Sequence, residues 1–195
     1  GVDMEALDPG EIIVNDPPQV VFAGRFMPQK NPLQIVEALA SVADLPWTCV
    51  MMGDGPLRQE VEEAIVRHGL NERFTLPGWV TPEQVIDCYR KSDIFFMPSL
   101  SEGLPVVGVQ SMAMGLALVL GAVGGNVELI EDGVNGYLRS SHDQEGYATV
   151  LREMLGDPER LLEVRQASRR MAARFDLKAI VTAYEELFEQ AVKGW

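Results

Sequence analysis

Two cysteines, two histidines and sixteen basic residues are all that this 195-residue chain offers to redox, metal and nucleic-acid chemistry. Cys49 and Cys88 stand in apolar segments of different elements, which reads as two buried thiols of a reducing compartment rather than a disulfide or a metal site. His68 and His142 lie in unrelated segments without ligand spacing, so each reads as a solvated surface residue. Against 16 Lys and Arg stand 29 Asp and Glu, a formal net charge of -13. Such a surface repels nucleic acid and anionic lipid on average, and neither is expected as a partner. No stretch approaches the ~18 apolar residues of a membrane span, and no secretory signal opens the chain. A cytoplasmic protein is expected, at most peripheral to a membrane. The spacing G-x-x-x-x-G-K-[ST] is absent, and no G-x-G-x-x-G opens the first helix, so neither a Walker-type NTPase nor an NAD fingerprint is supported. The first residue is Gly rather than Met, and the chain reads as a piece of a longer protein.

What is present is an alternation of apolar runs and amphipathic stretches. Gln19-Val-Val-Phe-Ala-Gly24, Trp47–Met52, Phe74–Leu76, Ile94–Met97 and Ala117–Leu120 read as strands without polar alternation, as when helices cover both faces of a sheet. Between them lie helices. The first starts at Asn31-Pro32-Leu33-Gln34, read as N-cap, N1 proline and capping-box Gln, and carries Leu33, Val36, Leu39 and Ala40 along one side. The second runs from Leu57 to about His68, with Val61, Ala64 and Ile65 at helical spacing. Thr81-Pro82-Glu83-Gln84 repeats the cap-and-box signature for a helix to about Lys91. Short connections and about five alternations specify an α/β fold, a Rossmann-like doubly wound parallel sheet with a helical C-terminal extension. The expected organisation is a hinge segment over 1–18, one Rossmann-like domain over 19–175, and an amphipathic helix within 176–195.

One segment is richest in chemistry: Pro98-Ser-Leu-Ser-Glu-Gly-Leu-Pro105, between a strand and a helix that runs to Gly115. A strand, a glycine-bearing turn and a helix N-terminus form an anion site, because free backbone N–H groups and the helix dipole meet at one point. Arg25 and Lys30 bracket the exit of the first strand and could clamp a diphosphate, one as a fork and one as a point charge. Taken at the helical rise, the eight residues from Glu102 to Gln110 span roughly 12 Å. That is long for a glycosidase carboxyl pair, where ~5–9.5 Å is expected, and suits two hydroxyl-bearing rings joined by a diphosphate. Gly53-Asp-Gly-Pro56 and Gly124-Gly125 read as tight turns with close backbone approach.

Taken together, Gly1-Val-Asp3, Gly24-Arg25…Lys30, Gly53–Pro56, Ser92–Ser99, Glu102-Gly103, Met112–Gly115, Gly124-Gly125…Glu128 and Asp132–Gly136 resemble, in order and spacing, the C-terminal domain of a retaining GT-B glycosyltransferase. The resemblance is to glycosyltransferase family 4, the glycosyl transferases group 1 type, and covers nearly the whole chain. It implies a nucleoside diphosphate sugar as substrate, no cofactor and no metal. Arg25 and Lys30 would neutralise the diphosphate leaving group, and Glu102 would bind donor-sugar hydroxyls. Backbone N–H groups around Gly103 and Leu104 would receive sugar or phosphate, and Gly24 and Gly53 would line the donor pocket. Gly78 and Trp79 would lie by the nucleobase. The family's second glutamate, on the ribose, falls at Gln110, a neutral amide and a weaker acceptor. The resemblance also implies an N-terminal domain carrying the acceptor site, so that this chain alone would bind donor without efficient transfer. Two alternatives stay open: another GT-B enzyme, an epimerase or a phosphorylase, and a decayed, non-catalytic interaction module, which Gln110 favours.

Overall fold

The computed structural model describes residues 1–182 and residue 185. Six strands form one sheet: β1 (Gln19–Ala23), β2 (Thr48–Met52), β3 (Phe74–Gly78), β4 (Ile94–Met97), β5 (Ala117–Gly121) and β6 (Gly136–Arg139). The helices are α1 (Pro32–Ala40), α2 (Arg58–Arg67), α3 (Pro82–Arg90), α4 (Val106–Ala113), α5 (Asn126–Leu129), α6 (Gln144–Gly156) and α7 (Pro158–Ala172). Every strand pairing is parallel, in the order β3-β2-β1-β4-β5-β6. The chain therefore winds outward from β1 to β3, crosses back, and winds outward again from β4 to β6. The reversal falls between β1 and β4, whose following helices α1 and α4 lie in different layers. The doubly wound parallel sheet expected from the sequence is the observed fold.

Burial explains why the strands read as they do. All of β4 and β5 is buried, as are Val20–Ala23, because α1, α2 and α6 form one layer while α4 and α7 pack against each other and α7 lies on β5 and β6. On α1 the buried side is Ile35, Val36, Ala38 and Leu39, with Leu33 and Ala40 only half-buried, a rotation of the expected stripe. Three helix starts are set by local chemistry. The Thr81 hydroxyl accepts from the Gln84 N–H while the Gln84 side chain accepts from the Thr81 N–H. Asp143 caps α6 and Asp157 caps α7, with Pro158 at the first helical position.

Three expectations are corrected. Asn31 does not cap α1: it sits at φ 51, ψ 49, and its side-chain amide donates instead to Ser141 O at 2.9 Å. Strand β3 continues through Pro77-Gly78, which had read as loop, and β6 adds a sixth strand where only a turn was expected. Residues within 1–18, the expected hinge segment, contact the domain. Val2 bridges Asp176, Arg169 donates to Met4 O at 3.1 Å, and Asn15 is bonded to Asp93. The expected C-terminal helix is helical over 177–182, and the remainder of that expectation lies outside the described residues. No helix of the described residues is long and apolar enough to cross a membrane.

Both cysteines are free; Cys49 is buried and Cys88 half-buried. Burial pushes both thiols above their ordinary values, which leaves neither as a ready nucleophile or metal ligand.

Candidate functional site

The loops after β1, β2 and β3 stack as a continuation of the sheet. Gly24 N donates to Met52 O at 3.0 Å and Gly53 N to Gly78 O at 2.8 Å. A side chain at Gly53, whose φ is 127, would put its Cβ 1.9 Å from Gly24 O, so glycine is required there by both conformation and contact. Phe26 N then donates to Asp54 O and Leu57 N to Phe26 O, each at 2.9 Å, which ties the β1 loop to the Gly53–Pro56 turn.

On the other side the β1 loop meets the β4 loop directly. Leu100 N donates to Gln29 O at 2.8 Å, and the Gln29 side chain returns a bond to Ser101 O at 2.9 Å. One residue further along both loops, Lys30 Nζ lies 2.5 Å from Glu102 Oε1. Asn31 and Ser141 complete the clamp, since Ser141 Oγ donates to Ser99 O at 2.6 Å. The cation and the carboxylate singled out in the sequence, 72 positions apart, are thus brought into contact by the switch in strand order. Gln29, Asn31 and Ser141 were not foreseen, because their partners are reached only through the fold.

Behind Glu102 stands the turn of Gly124 and Gly125. At Gly124, φ 47, a Cβ would fall 1.7 Å from Glu102 O, and Gly125 N donates to that oxygen at 3.4 Å. The close approach expected of this glycine pair is therefore with the Glu102–Leu104 backbone itself. Gly103 and Leu104 are exposed, and α4 begins two residues after Leu104 with no side-chain cap; Gly108 N donates to Pro105 O, while among the described residues the N–H groups of Val106 and Val107 have no backbone partner. Glu102 is not on that helix: α4 starts at Val106 after Pro105, so the 12 Å spacing to Gln110 at helical rise does not apply.

Arg25 is exposed, and among the described residues no carboxylate lies within 4.0 Å of its guanidinium. It shares a loop with Lys30 without joining the ion pair. Trp79 is exposed and lines a cavity of about 150 Å³ with Gly24, Gly53, Val80, Val85 and Val107. A second cavity, of about 310 Å³, is lined by Val80, Pro82, Val85, Val107 and Gln110. The two share three wall residues, so they form one groove running from Gly24 and Gly53 past Trp79 to Gln110. Gly78 adjoins Trp79 at the end of β3.

The arrangement is an apolar groove walled by Gly24, at the start of the loop that carries Lys30, and by Val107, in the uncapped first turn of α4. It can seat a flat ring, hold hydroxyls and balance an anion. Among the described residues no cluster of His, Cys, Asp and Glu could hold a metal ion; His68 pairs with Glu37, and the exposed His142 lines a cavity with Leu100 and Ser141.

Residues 3–171 match the family model described as "Glycosyl transferases group 1". The D-inositol 3-phosphate glycosyltransferase of Rhodococcus erythropolis is 30% identical over 198 residues, which cover 97% of this chain and 43% of that protein. The chain thus spans about half the length of the curated relatives it matches. Among solved structures, the C-terminal domain of a glycosyl transferase group 1 family protein (LpcC) from Francisella tularensis superposes with a TM-score of 0.82 at 22% identity, over 91% of this chain and all of that one. Anabaena Alr3699/HepE in complex with UDP gives 0.83 at 21% identity, over 97% of this chain and 56% of that one.

Proposed function

This chain belongs to the glycosyl transferases group 1 family, and on that premise we propose that it is the donor-binding half of a retaining GT-B enzyme of glycosyltransferase family 4. The substrate on this reading is a nucleoside diphosphate sugar of the hexose type. The acceptor site belongs to a further, N-terminal domain, so the 195 residues bind donor without transferring it efficiently.

The observation that carries the reading is the meeting of Lys30 and Glu102 at the β1/β4 switch point, on the loop that starts at Gly24 of the Trp79 groove and the loop that leads into the uncapped start of α4. Roles follow from position and chemistry. The base lies by Gly78 and Trp79, in the cavity that Gly24 and Gly53 also line. Gln110, on the groove's far wall, hydrogen-bonds the ribose. Arg25, Lys30 and the backbone N–H groups around Gly103 and Leu104 meet the diphosphate, and Glu102 accepts from donor-sugar hydroxyls. As the sugar departs, negative charge grows on the leaving phosphate. Arg25, Lys30 and the α4 dipole stabilise that charge, an electrostatic rather than an acid–base contribution that calls for no metal ion.

Titration of the chain with UDP, GDP and ADP by calorimetry tests the proposal. Saturable binding of one of them, strongest for a single base, is expected. Failure of all three to bind would favour a decayed module, the reading that Gln110 supports.

A further inference from the structure

Glu102 is a nearly buried carboxylate with a single polar partner. Its side chain is 7% exposed, and among the described residues the one group bonded to it is Lys30 Nζ. The backbones that carry the pair are fixed from both sides, by Gln29 against Leu100 and Ser101 in front and by Gly124 and Gly125 behind. The two side chains can part only by changing rotamer. Lys30 is the more open of the two, at 20% exposure, so an incoming anion reaches the ammonium while the carboxylate is still beside it.

A bare diphosphate then brings a second anion to one cation, and carboxylate and phosphate repel each other across a few ångströms of partly excluded water. A diphosphate that carries a sugar meets a different balance. Its hydroxyls donate to the carboxylate, replacing the hydrogen bond that Glu102 gives up as Lys30 turns to phosphate. We propose that Glu102 makes this site select a diphosphate that still bears its sugar against the same diphosphate without one. The carboxylate is counter-ion to Lys30 in the empty site, acceptor in the donor complex, and repulsive neighbour once the sugar has left. Selectivity here comes as much from the disfavoured partner as from the favoured one. After transfer, the same repulsion speeds departure of the nucleoside diphosphate. The inference rests on the assignment of Lys30 to the diphosphate and names how that site tells donor from leaving group.

Calorimetry on the chain and on Glu102→Gln, with UDP, GDP and ADP and the glucose-bearing form of each, tests it. For the base that binds, the unaltered chain is expected to hold the sugar-bearing form at least about threefold more tightly than the bare diphosphate. Glu102→Gln is expected to hold the bare diphosphate at least about threefold more tightly than the unaltered chain does, and to lose the preference for the sugar. Glu102→Asp keeps the charge and is expected not to tighten the bare diphosphate. Equal or weaker diphosphate binding by Glu102→Gln, or tightening by Glu102→Asp, overturns the inference and leaves Glu102 as a mere support for Lys30. Should the unaltered chain bind no nucleotide at all, the donor-site reading itself falls and takes this inference with it, a result distinct from the other two.

Discussion

An ion pair sits at each end of the sheet, and the two have opposite surroundings. At the N-terminal edge Arg165 and Asp93 are 5% and 0% exposed, 2.5 Å apart. Asp93 also accepts from Asn15 N, Asn15 Nδ2 and Gln19 N, and Arg165 also donates to Gly115 O and Ile13 O. The Asp93 carboxylate accepts four bonds and Arg165 Nε and Nη1 donate three, with partners from the first residues of the chain, the start of β1, the end of the α4 region, and α7. Desolvation pulls the Arg165 pKa down and the Asp93 charge holds against it. At the C-terminal edge, among the described residues, the Lys30 ammonium and the Glu102 carboxylate have only each other. A saturated pair is part of the scaffold, whereas an unsaturated one keeps bonding capacity for a ligand.

The contrast breaks most visibly in stability. Asp93→Asn leaves a buried guanidinium without its counter-charge, and the expected loss is about 3–5 kcal/mol of unfolding free energy. Glu102→Gln leaves an ammonium that reaches water, and less than about 1 kcal/mol is expected. Urea unfolding of both variants, compared at constant m-value, decides the matter. Equal losses would make the Lys30 pair a second structural staple and remove the reason to look for a ligand there.

Binding sharpens the same contrast from the other side. Lys30→Ala and Arg25→Ala are each expected to weaken nucleoside diphosphate affinity by at least ~1 kcal/mol, since each deletes a charge-assisted contact. Lys30→Ala should cost more, because it also leaves Glu102 facing the phosphate alone. Arg25 is exposed and has no salt bridge among the described residues, so Arg25→Ala is expected to leave unfolding unchanged. Calorimetry that finds Arg25→Ala indistinguishable from the unaltered chain would place that residue outside the site.

The sequence makes one of these two edges far more legible than the other. The glycines at 24, 53 and 124, the cations at 25 and 30, and Glu102-Gly103 all signal a ligand edge locally, because a tight turn needs a particular residue type wherever its partner lies. The Arg165–Asp93 staple carries no such signal: its partners are backbone carbonyls and amides drawn from four segments, and a lone Arg on a charged helix reads as solvated. The same reason accounts for the two caps. Thr81 and Gln84 need only each other, and the box forms as read. Asn31 and Gln34 stand in the same spacing around a proline, yet Asn31 is claimed by Ser141 O, 110 positions away, and its backbone turns left-handed. Strand β6 is four residues long and starts at Gly136, whose missing side chain lets it lie against Leu118 O; inside a run of turn formers it has no pattern of its own. The helical spacing assumed from Glu102 to Gln110 failed because Pro105, a residue suited to the edge of a helix rather than its interior, marks where α4 begins.

The smallest expected effect lies at the groove's far wall. Gln110 is the one polar side chain among the five that line the second cavity, one turn along α4 from Val107. An amide accepts through one atom and donates through the other, so it serves two adjacent hydroxyls only if one of them acts as acceptor. A carboxylate accepts from both and adds charge assistance, against the cost of placing that charge between Val80, Val85 and Val107. The two terms leave Gln110→Glu with an expected gain of about 0.5–1 kcal/mol for the ribonucleoside diphosphate, read by calorimetry. On the 2′-deoxy form of the same nucleotide the gain should vanish, because the second donor is gone. Equal gains on both sugars, or a loss on the ribose form, would detach Gln110 from the ribose and leave the groove's polar end without an occupant.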